Sequence, residues 1–514
     1  MALPENGTEW PPKDANTVFA DMAEFAAWWA GTPERIVAPD DTDKQKRKGW
    51  LGKWLDSFWG RVSTNEQVSR RNLHVPVASD IAQTSANLLY ANAPAITSDN
   101  EETANRLAEY LEDGLIDTLL AGAETGAALG GRYHRVTFDP MRDMPFLTTV
   151  DADAAIPEFH WGRLVAVTFW TIVEDKHGTI TRHVERHELN ANGIGLVAHG
   201  LYVGTSSNLG NAMPLTDHSS TAPLATMVDE NGYLIEGRTP GLNVAYFPNL
   251  KPQRRWRNNT FGRELGRSDY DGGIIGLMDA LDETYTSWMR DIRVGQAKLL
   301  ISEDMLDDKD GQLAFDHSRE VFAPLKGVLP GRDTNGMPIE QVQFLLRVEE
   351  HARTCEELTK VIVRQCGYSA ATFGEHTADT DITATEVKAR EKRSHTTRGR
   401  KIRLEQPNLE ALLRKMLEVD AEVYGTAGLD PDSLAVTFPP AVSETTNELV
   451  QTAAMMANAR LATTKTLVQM VHPDWDSKQV DAEVEAIKAE STVIDNVDTW
   501  RPPVPDADES EEGE

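Results

Sequence analysis

The stretch SDYDGGIIGLMDALDETYTSWMRDIRVG, residues 268–295, carries Ile274, Met278, Leu281, Tyr285, Trp288 and Ile292 in alternating steps of four and three. That spacing is the seam of a helix packed lengthwise on another, and Ser268 with Asp271 can form a capping box at its head. A matching seam runs through Leu345, Val348, Ala352, Cys355, Thr359, Ile362 and Cys366. Each predicts a rod of roughly 27 residues, about 40 Å long. Between the rods lies an insert, 296–338, with strand-like Lys298 to Ile301 and Glu320 to Leu325 around an acidic centre. From Glu303 to Glu320 seven acids, Glu303, Asp304, Asp307, Asp308, Asp310, Asp316 and Glu320, outnumber the bases Lys309 and Arg319.

Outward from this pair, the chain is long and acidic. Its 514 residues hold 81 Asp and Glu against 51 Lys and Arg, a formal net charge of −30. Tight gripping of a phosphate backbone depends on Lys and Arg displacing counterions, so a generic nucleic-acid binder is disfavoured. The 40% hydrophobic fraction builds sizeable cores, and the length suggests about two to four domains. No apolar run approaches a membrane span, and Met1 to Trp10 lacks a signal-peptide pattern. The expected place is the cytosol or a particle assembled there. Cys355 and Cys366, the only cysteines, fall about 16 Å apart on one predicted helix, too far to pair.

Before the rods, the first sixty residues hold six of the twelve tryptophans, and Trp50, Leu51, Trp54, Leu55, Phe58 and Trp59 form an amphipathic stripe. It reads as a packing or subunit-contact face in preference to a membrane-surface helix, since its basic flank is short. Helices are predicted over Val77 to Tyr90 and Glu101 to Ala128, ended by Gly130 and Gly131. The period then changes to two. Tyr133 to Phe138, Leu164 to Val173, Thr179 to Leu189 and Gly195 to Val203 read as one antiparallel meander, with a turn at Lys176, His177 and Gly178. Thr205 to Pro223 reads as loop, followed by the basic aromatic patch Arg254, Arg255, Trp256 and Arg257. After the rods, Tyr368 to Ile382 is a polar loop. Thr383 opens a long helix to about Tyr424 with Pro407 as its expected kink. Amphipathic helices follow from Ser443, and Asp506 to Glu514, six acids in nine residues, is expected to be disordered.

Catalytic signatures are missing. There is no P-loop, no G-x-S-x-G elbow, no H-E-x-x-H and no C-x-x-C. Asp308, Asp310 and Gly311 imitate part of a calcium loop, but Leu306 and His317 occupy positions that need oxygen ligands. His183 and His187 sit in an alternating segment, where hydrogen-bonded strand histidines are favoured over a metal site. The reading calls for no enzyme activity, no cofactor and no metal. The main charge feature is Lys388, Arg390, Lys392, Arg393, Arg398, Arg400, Lys401 and Arg403 on the long helix, against the single acid Glu391. Two readings are open for this band: pairing with acidic neighbouring subunits, which is favoured, or contact with nucleic acid. Arg254, Arg255 and Arg257 divide the same way.

The order of parts resembles the portal proteins of tailed double-stranded DNA bacteriophages, especially siphoviruses infecting actinobacteria. The residues carrying the likeness are Leu73-His74-Val75-Pro76-Val77-Ala78, Ala128-Leu129-Gly130-Gly131, Ile156-Pro157-Glu158-Phe159-His160-Trp161-Gly162-Arg163-Leu164 and Glu185-Arg186-His187-Glu188. They continue with Leu265-Gly266-Arg267-Ser268-Asp269-Tyr270 and Thr383-Ala384-Thr385-Glu386-Val387. The resemblance implies an α+β portal fold: an N-terminal Trp-rich extension (1–60), a mixed wing (61–267), a two-helix stem (268–295 and 339–367) and a small α/β clip (296–338). A tunnel loop (368–382), a long wing-spanning helix (383–425), a helical crown (426–505) and the acidic tail (506–514) complete it. It implies a homo-oligomeric ring, commonly dodecameric, at one capsid vertex of the virion, assembled in the host cytoplasm. Double-stranded DNA would pass without sequence specificity. The terminase large subunit, a head completion or adaptor protein, the major capsid protein and a scaffold protein would be partners, and no membrane.

Within that likeness Thr372, Phe373, Gly374, Glu375 and His376 would face the channel. Glu303, Asp304, Asp307, Asp308 and Asp310 would dock the packaging motor, and Leu281, Tyr285, Trp288, Leu345 and Val348 would pack the stem. The alternatives are another oligomeric capsid component, or a metal-dependent DNA-processing enzyme using Asp379 and Asp381.

Overall fold

The computed structural model describes residues 3–32, 73–295, 298–302, 322–325, 339–342, 347–374, 384–440, 446–472, 475 and 477–497. Helix α1, Asn16–Ala30, buries Val18, Met22, Phe25 and Trp28 at helical spacing and stops at Gly31 in the left-handed region. Helix α2, Val77–Tyr90, turns Ile81, Ala82, Ser85, Ala86 and Leu89 inward. A short strand β1, Ala95–Ser98, leads to Asn100, whose side chain accepts from Thr103 N at 2.8 Å and caps α3, Glu101–Glu112. The expected single helix to Ala128 is two. Gly114, at φ +90°, breaks the chain before α4, Leu115–Leu129, a backbone state that favours glycine. Gly130, at φ +95°, ends α4.

The strands form two antiparallel sheets rather than one meander. Strand β2, Gly131–Thr137, sits between β3, Phe146–Asp151, and a later strand, with Arg132 opposite Asp151 on one side and Gly131 opposite Pro248 on the other. The five-stranded sheet is β4, Ala155–His160, β5, Arg163–Lys176, β6, Thr179–Leu189, β7, Gly195–Thr205, and β8, Asn208–Met213. The predicted turn between β5 and β6 holds, with His177 at φ +52° and Gly178 at φ +85°, the double positive-φ hairpin that matches strand twist. Strand β8 corrects the loop expected over Thr205 to Pro223. Gly210 permits it, since a Cβ there would stand 1.9 Å from Val203 O. The outer edge of β8 is covered by the N-terminus through Gly7 N to Gly210 O at 2.7 Å and Leu209 N to Thr8 O at 2.9 Å, which removes an open ladder. Strand β9, Val244–Pro248, closes the three-stranded sheet.

Helix α5, Ile274–Val294, and helix α6, Val348–Cys366, pack on one another. They have 21 and 19 residues, about 30 Å each, shorter than expected. Three strands lie between or beside them: β10, Lys298–Ser302, β11, Phe322–Leu325, and β12, Ile339–Val342, with β10 central. Thus 339–342 is strand where the second rod was expected to begin; Ile339 to Val342, with β-branched residues at both ends, pair antiparallel with β10. The acidic centre 303–320 and Leu345 lie outside the described residues.

Helix α7, Ala384–Val419, continues through Pro407 and ends in a π turn, Asp420–Tyr424. Its Leu409, Leu412, Leu413, Met416 and Leu417 recur at helical steps and are all buried. Strand β13, Leu434–Thr437, then pairs antiparallel with β1, Ala95 opposite Thr437, so the stretch from 426 assigned to the helical crown opens with a strand ahead of the helices expected from Ser443. One compact unit ends at Pro439. The second, from Pro440, contains α8, Thr446–Asn458, α9, Thr464–Val471, and α10, Ser477–Val497, with Val468, Val480, Val484 and Trp475 as its own small core. Trp50 to Trp59 and Asp506 to Glu514 lie outside the described residues.

Among the described residues two large cores occupy the first unit, beside a small cluster of Trp10, Val184, Tyr202 and Leu209. One joins α1, α2, the end of α4, α5 and α6 through residues such as Phe25, Ile81, Met278, Leu281 and Ile362. The other joins α3, α4, α7 and β13 through Leu107, Leu119, Leu413 and Val436. Cys355 and Cys366 are buried free thiols.

Candidate functional site

The segment Leu265-Gly266-Arg267-Ser268-Asp269-Tyr270 is where the first unit is joined. Gly266 lies against backbone: a Cβ there would be 2.1 Å from Gly130 O. Ser268 Oγ donates to Ala128 O at 2.5 Å and accepts from Tyr270 N at 3.0 Å. It caps no helix; α5 starts six residues on, after Gly273 at φ +86°, so the expected capping box with Asp271 does not form. Tyr270 OH donates to Ala78 O at 2.5 Å. Asp269, 3% exposed, accepts from Asn249 Nδ2 at 2.9 Å, Tyr368 OH at 2.8 Å and Lys401 Nζ at 2.8 Å. One carboxylate therefore ties the head of α5, the end of α6 and the middle of α7.

This network corrects the reading of the basic band. Lys401 is 2% exposed and also donates to Ser85 Oγ at 2.5 Å; burial pushes its ammonium pKa down, opposed by Asp269. Arg398 is buried and donates to Leu88 O and to Pro439 O. These two cations are held within their own chain and are offered neither to DNA nor to a neighbouring subunit. Arg400 gives one N–H to Lys251 O at 3.1 Å while remaining exposed, and Arg403 bonds back to Gly399 O at 3.3 Å. Lys392 and Arg393 are exposed, and the side chains of Lys388 and Arg390 lie outside the described residues. Helical spacing of bases cannot reveal which turn faces inward when the acid that pairs it is 132 residues away.

A second buried network crosses the same helix. Glu405 accepts from Tyr90 OH and Arg132, and Arg132 Nε donates to His134 Nε2 at 2.8 Å. His134 must be neutral to accept, in keeping with burial and Arg132 together driving its pKa well below the usual range. Gly122 and Gly126 make room for it, since a Cβ on Gly122 would meet His134 at 2.7 Å and one on Gly126 would meet Arg132 at 3.3 Å.

The expected tunnel loop begins as a 3-10 turn, Ala370–Phe373. Thr372 Oγ1 and Ser394 Oγ are 2.7 Å apart, Ser369 N donates to Ser394 Oγ at 2.9 Å, and Phe373 packs edge-on to Tyr368. Gly374 follows at φ +79°. Glu375, His376, Asp379 and Asp381 lie outside the described residues, as do Glu303, Asp304, Asp307, Asp308 and Asp310.

Along the paired helices, Leu281 is wholly buried, Tyr285 and Trp288 are in ring contact at 5.8 Å, and Trp288 stacks on His351 at 6.1 Å. Asp291 fixes His351 at 3.0 Å. Val348, expected in the seam, is 43% exposed because it opens α6 at the helix end. Arg255 forks onto Asp21 at 2.7 and 2.6 Å, and Trp256 Nε1 donates to the same carboxylate at 2.6 Å; these two members of the patch pair inside the chain.

His183 and His187 are strand residues. His183 stacks on His199, with Nε2 and Nδ1 3.1 Å apart, and His187 Nε2 lies 2.6 Å from Glu185 Oε1. Burial alone would raise the Glu185 pKa, but Arg135, His187 and His199 hold it well below the carboxylate range. Burial depresses His199 to about 4 despite Glu185. Among the described residues no group of three His, Cys, Asp or Glu side chains is placed to hold a metal, and no helix is long and apolar enough to cross a membrane.

Residues 42–496 match the family model described as phage portal protein, SPP1 Gp6-like. The chain belongs to this family, structural proteins of the bacteriophage virion that form the portal channel. No curated protein matches it. Among solved structures, it is similar to a chain in the neck of a native gene transfer agent particle computed with C12 symmetry, at 10% identity and TM-score 0.36, covering 77% of this chain and 90% of that one. A second likeness is to a chain of the virion of a native gene transfer agent particle, at 11% identity and TM-score 0.34, covering 91% and 96%.

Proposed function

We propose that the chain assembles into a ring, dodecameric in the virion, at one capsid vertex of a siphovirus-type phage, and that double-stranded DNA is packaged and ejected through its central channel. The portal-family match over 42–496 carries this reading. The paired helices α5 and α6 serve as the stem, and the small sheet with the acidic 303–320 segment serves as the clip that docks the terminase large subunit and later a head completion protein. Residues 372–376 form the channel-facing loop, and α7 spans the wing. The helical unit after Pro440 is the crown. Major capsid and scaffold proteins contact the outer surface, and assembly takes place in the host cytoplasm.

An acidic chain with few basic bands suits passage of a polyanion that must slide in both directions, because few basic contacts mean weak adhesion. The protein performs no chemistry of its own; a separate ATPase supplies the work. Negative-stain imaging of the purified protein tests this: rings with a central hole are expected, and a stable monomer that cleaves DNA with magnesium would overturn it.

A further inference from the structure

An acidic chain would be expected to give every buried or half-buried arginine a carboxylate, and most have one. Arg106 pairs with Asp420, Arg132 with Glu405, Arg135 with Glu185, Arg186 with Glu158 and Glu188, and Arg255 with Asp21. Buried Arg182 and Arg398 bond backbone carbonyls instead, and one cleft gathers several arginines without such pairing. Arg254, Arg267, Arg393 and Arg400 all line a cavity of about 600 Å³ beside Asp271, Gln365 and Thr397. Among the described residues the guanidinium groups of Arg254, Arg267 and Arg393 have no hydrogen-bond or ion-pair partner, and Arg400 gives a single N–H to Lys251 O.

The local acids do not neutralise the group. Asp269 is committed to Lys401, Tyr368 and Asn249. Asp271 Oδ2 is buried with no hydrogen-bond partner among the described residues, so it forks none of the four. Burial and then Arg254 disfavour the charge on half-buried Arg267, with Arg400 adding to the effect against Asp271 and Asp269. Four like charges thus line one cleft whose one lining carboxylate, Asp271, is hydrogen-bonded to none of them among the described residues. Arg393, Thr397 and Arg400 follow one another at helical steps on α7 and present one face, while Arg254 and Arg267 approach from the segment before α5.

We propose that this cleft is a binding site for a phosphate group, held by the guanidinium forks of Arg254, Arg267, Arg393 and Arg400. Guanidinium presents paired N–H donors in a plane that matches two phosphate oxygens, and a cleft bounded by protein on several sides makes such bonds stronger than on an open surface. The site differs from a sliding contact in being concave and fixed, and it stands independently of ring assembly. The phosphate comes either from a nucleic-acid backbone or from a free phosphorylated molecule.

Calorimetric titration of the full-length protein with inorganic pyrophosphate tests this, alongside the variant Arg254→Gln/Arg393→Gln. Both side chains are exposed and without partners among the described residues, so the variant should melt like the wild type. Binding to the wild type and a loss of about tenfold or more in the variant are expected, since each charge-assisted bond is among the strong ones. Arg142→Gln, at a surface arginine paired with Asp113, should leave binding unchanged. Competition by a short DNA duplex would assign the phosphate to a backbone, and competition by a mononucleotide alone would assign it to a small molecule. No pyrophosphate binding, equal binding by the double variant, or binding of a poly-glutamate peptide in place of pyrophosphate would each overturn the proposal. Imaging the same samples separates this outcome from that of the ring.

Discussion

Asp269 receives hydrogen bonds from three side chains that belong to three different parts of the chain. Asp269→Asn keeps the shape but leaves the Lys401 ammonium buried without a counter-charge, a loss of about 3–5 kcal/mol; chemical denaturation followed by tryptophan fluorescence checks it. His199 gives a second handle. Its folded pKa of about 4 lies below the ordinary histidine value, so the unfolded chain takes up a proton more readily than the folded one. Stability is therefore full above about pH 6.5 and falls as pH drops toward the folded value, and depressed Glu185 acts in the same direction. Melting temperatures between neutral and mildly acidic pH should decline, and His199→Asn should flatten the decline. At this scale sequence reading found the residues but not their partners. The basic row of α7 was legible, whereas burial of Lys401 and Arg398 depended on Asp269, Ser85, Leu88 and Pro439, which no local pattern brings near.

Elements built on periodicity were read well. Val77–Tyr90 and Thr179–Leu189 have the bounds that their patterns predict, and the seam of α5 is buried at Ile274, Met278 and Leu281. Elements set by one glycine or by a distant strand were not. Gly114 looks like any helical glycine until its φ of +90° splits the helix, and β8 and β13 exist because β7 and β1 are there to pair them. Two glycines make opposed predictions. Gly266→Ala drives a Cβ into the Gly130 carbonyl and the Asn249 amide; backbone cannot swing aside, so a destabilisation of about 1–3 kcal/mol is expected in thermal melts. Gly276, inside α5 with open space around it, should gain up to about 1 kcal/mol as Gly276→Ala by helix propensity. Leu281→Asp, attractive from the seam alone as a probe of ring contacts, would instead place a charge in a closed core and should yield insoluble protein rather than soluble single subunits.

For the whole molecule, the division at Pro439 predicts that a chain ending there keeps both cores of the first unit. It should show cooperative melting and a protected fragment in limited proteolysis; loss of folding would mean that the helical unit is required. The portal likeness was legible because its motifs mark backbone joints such as Gly130 against Gly266, while the unpaired arginine cleft was not, since its members come from three separated segments. The pairing of Ala95–Ser98 with Leu434–Thr437 has a consequence for synthesis. Chains emerge from the ribosome at about 5–20 residues per second, so β1 waits on the order of tens of seconds for the strand that completes its sheet. Until then the leucine face of α3 and α4 has neither α7 nor β13 to cover it. Each nascent subunit thus passes through an interval in which a large apolar surface is open to other nascent chains, and host chaperones that bind such surfaces should set the yield of assembly-competent protein.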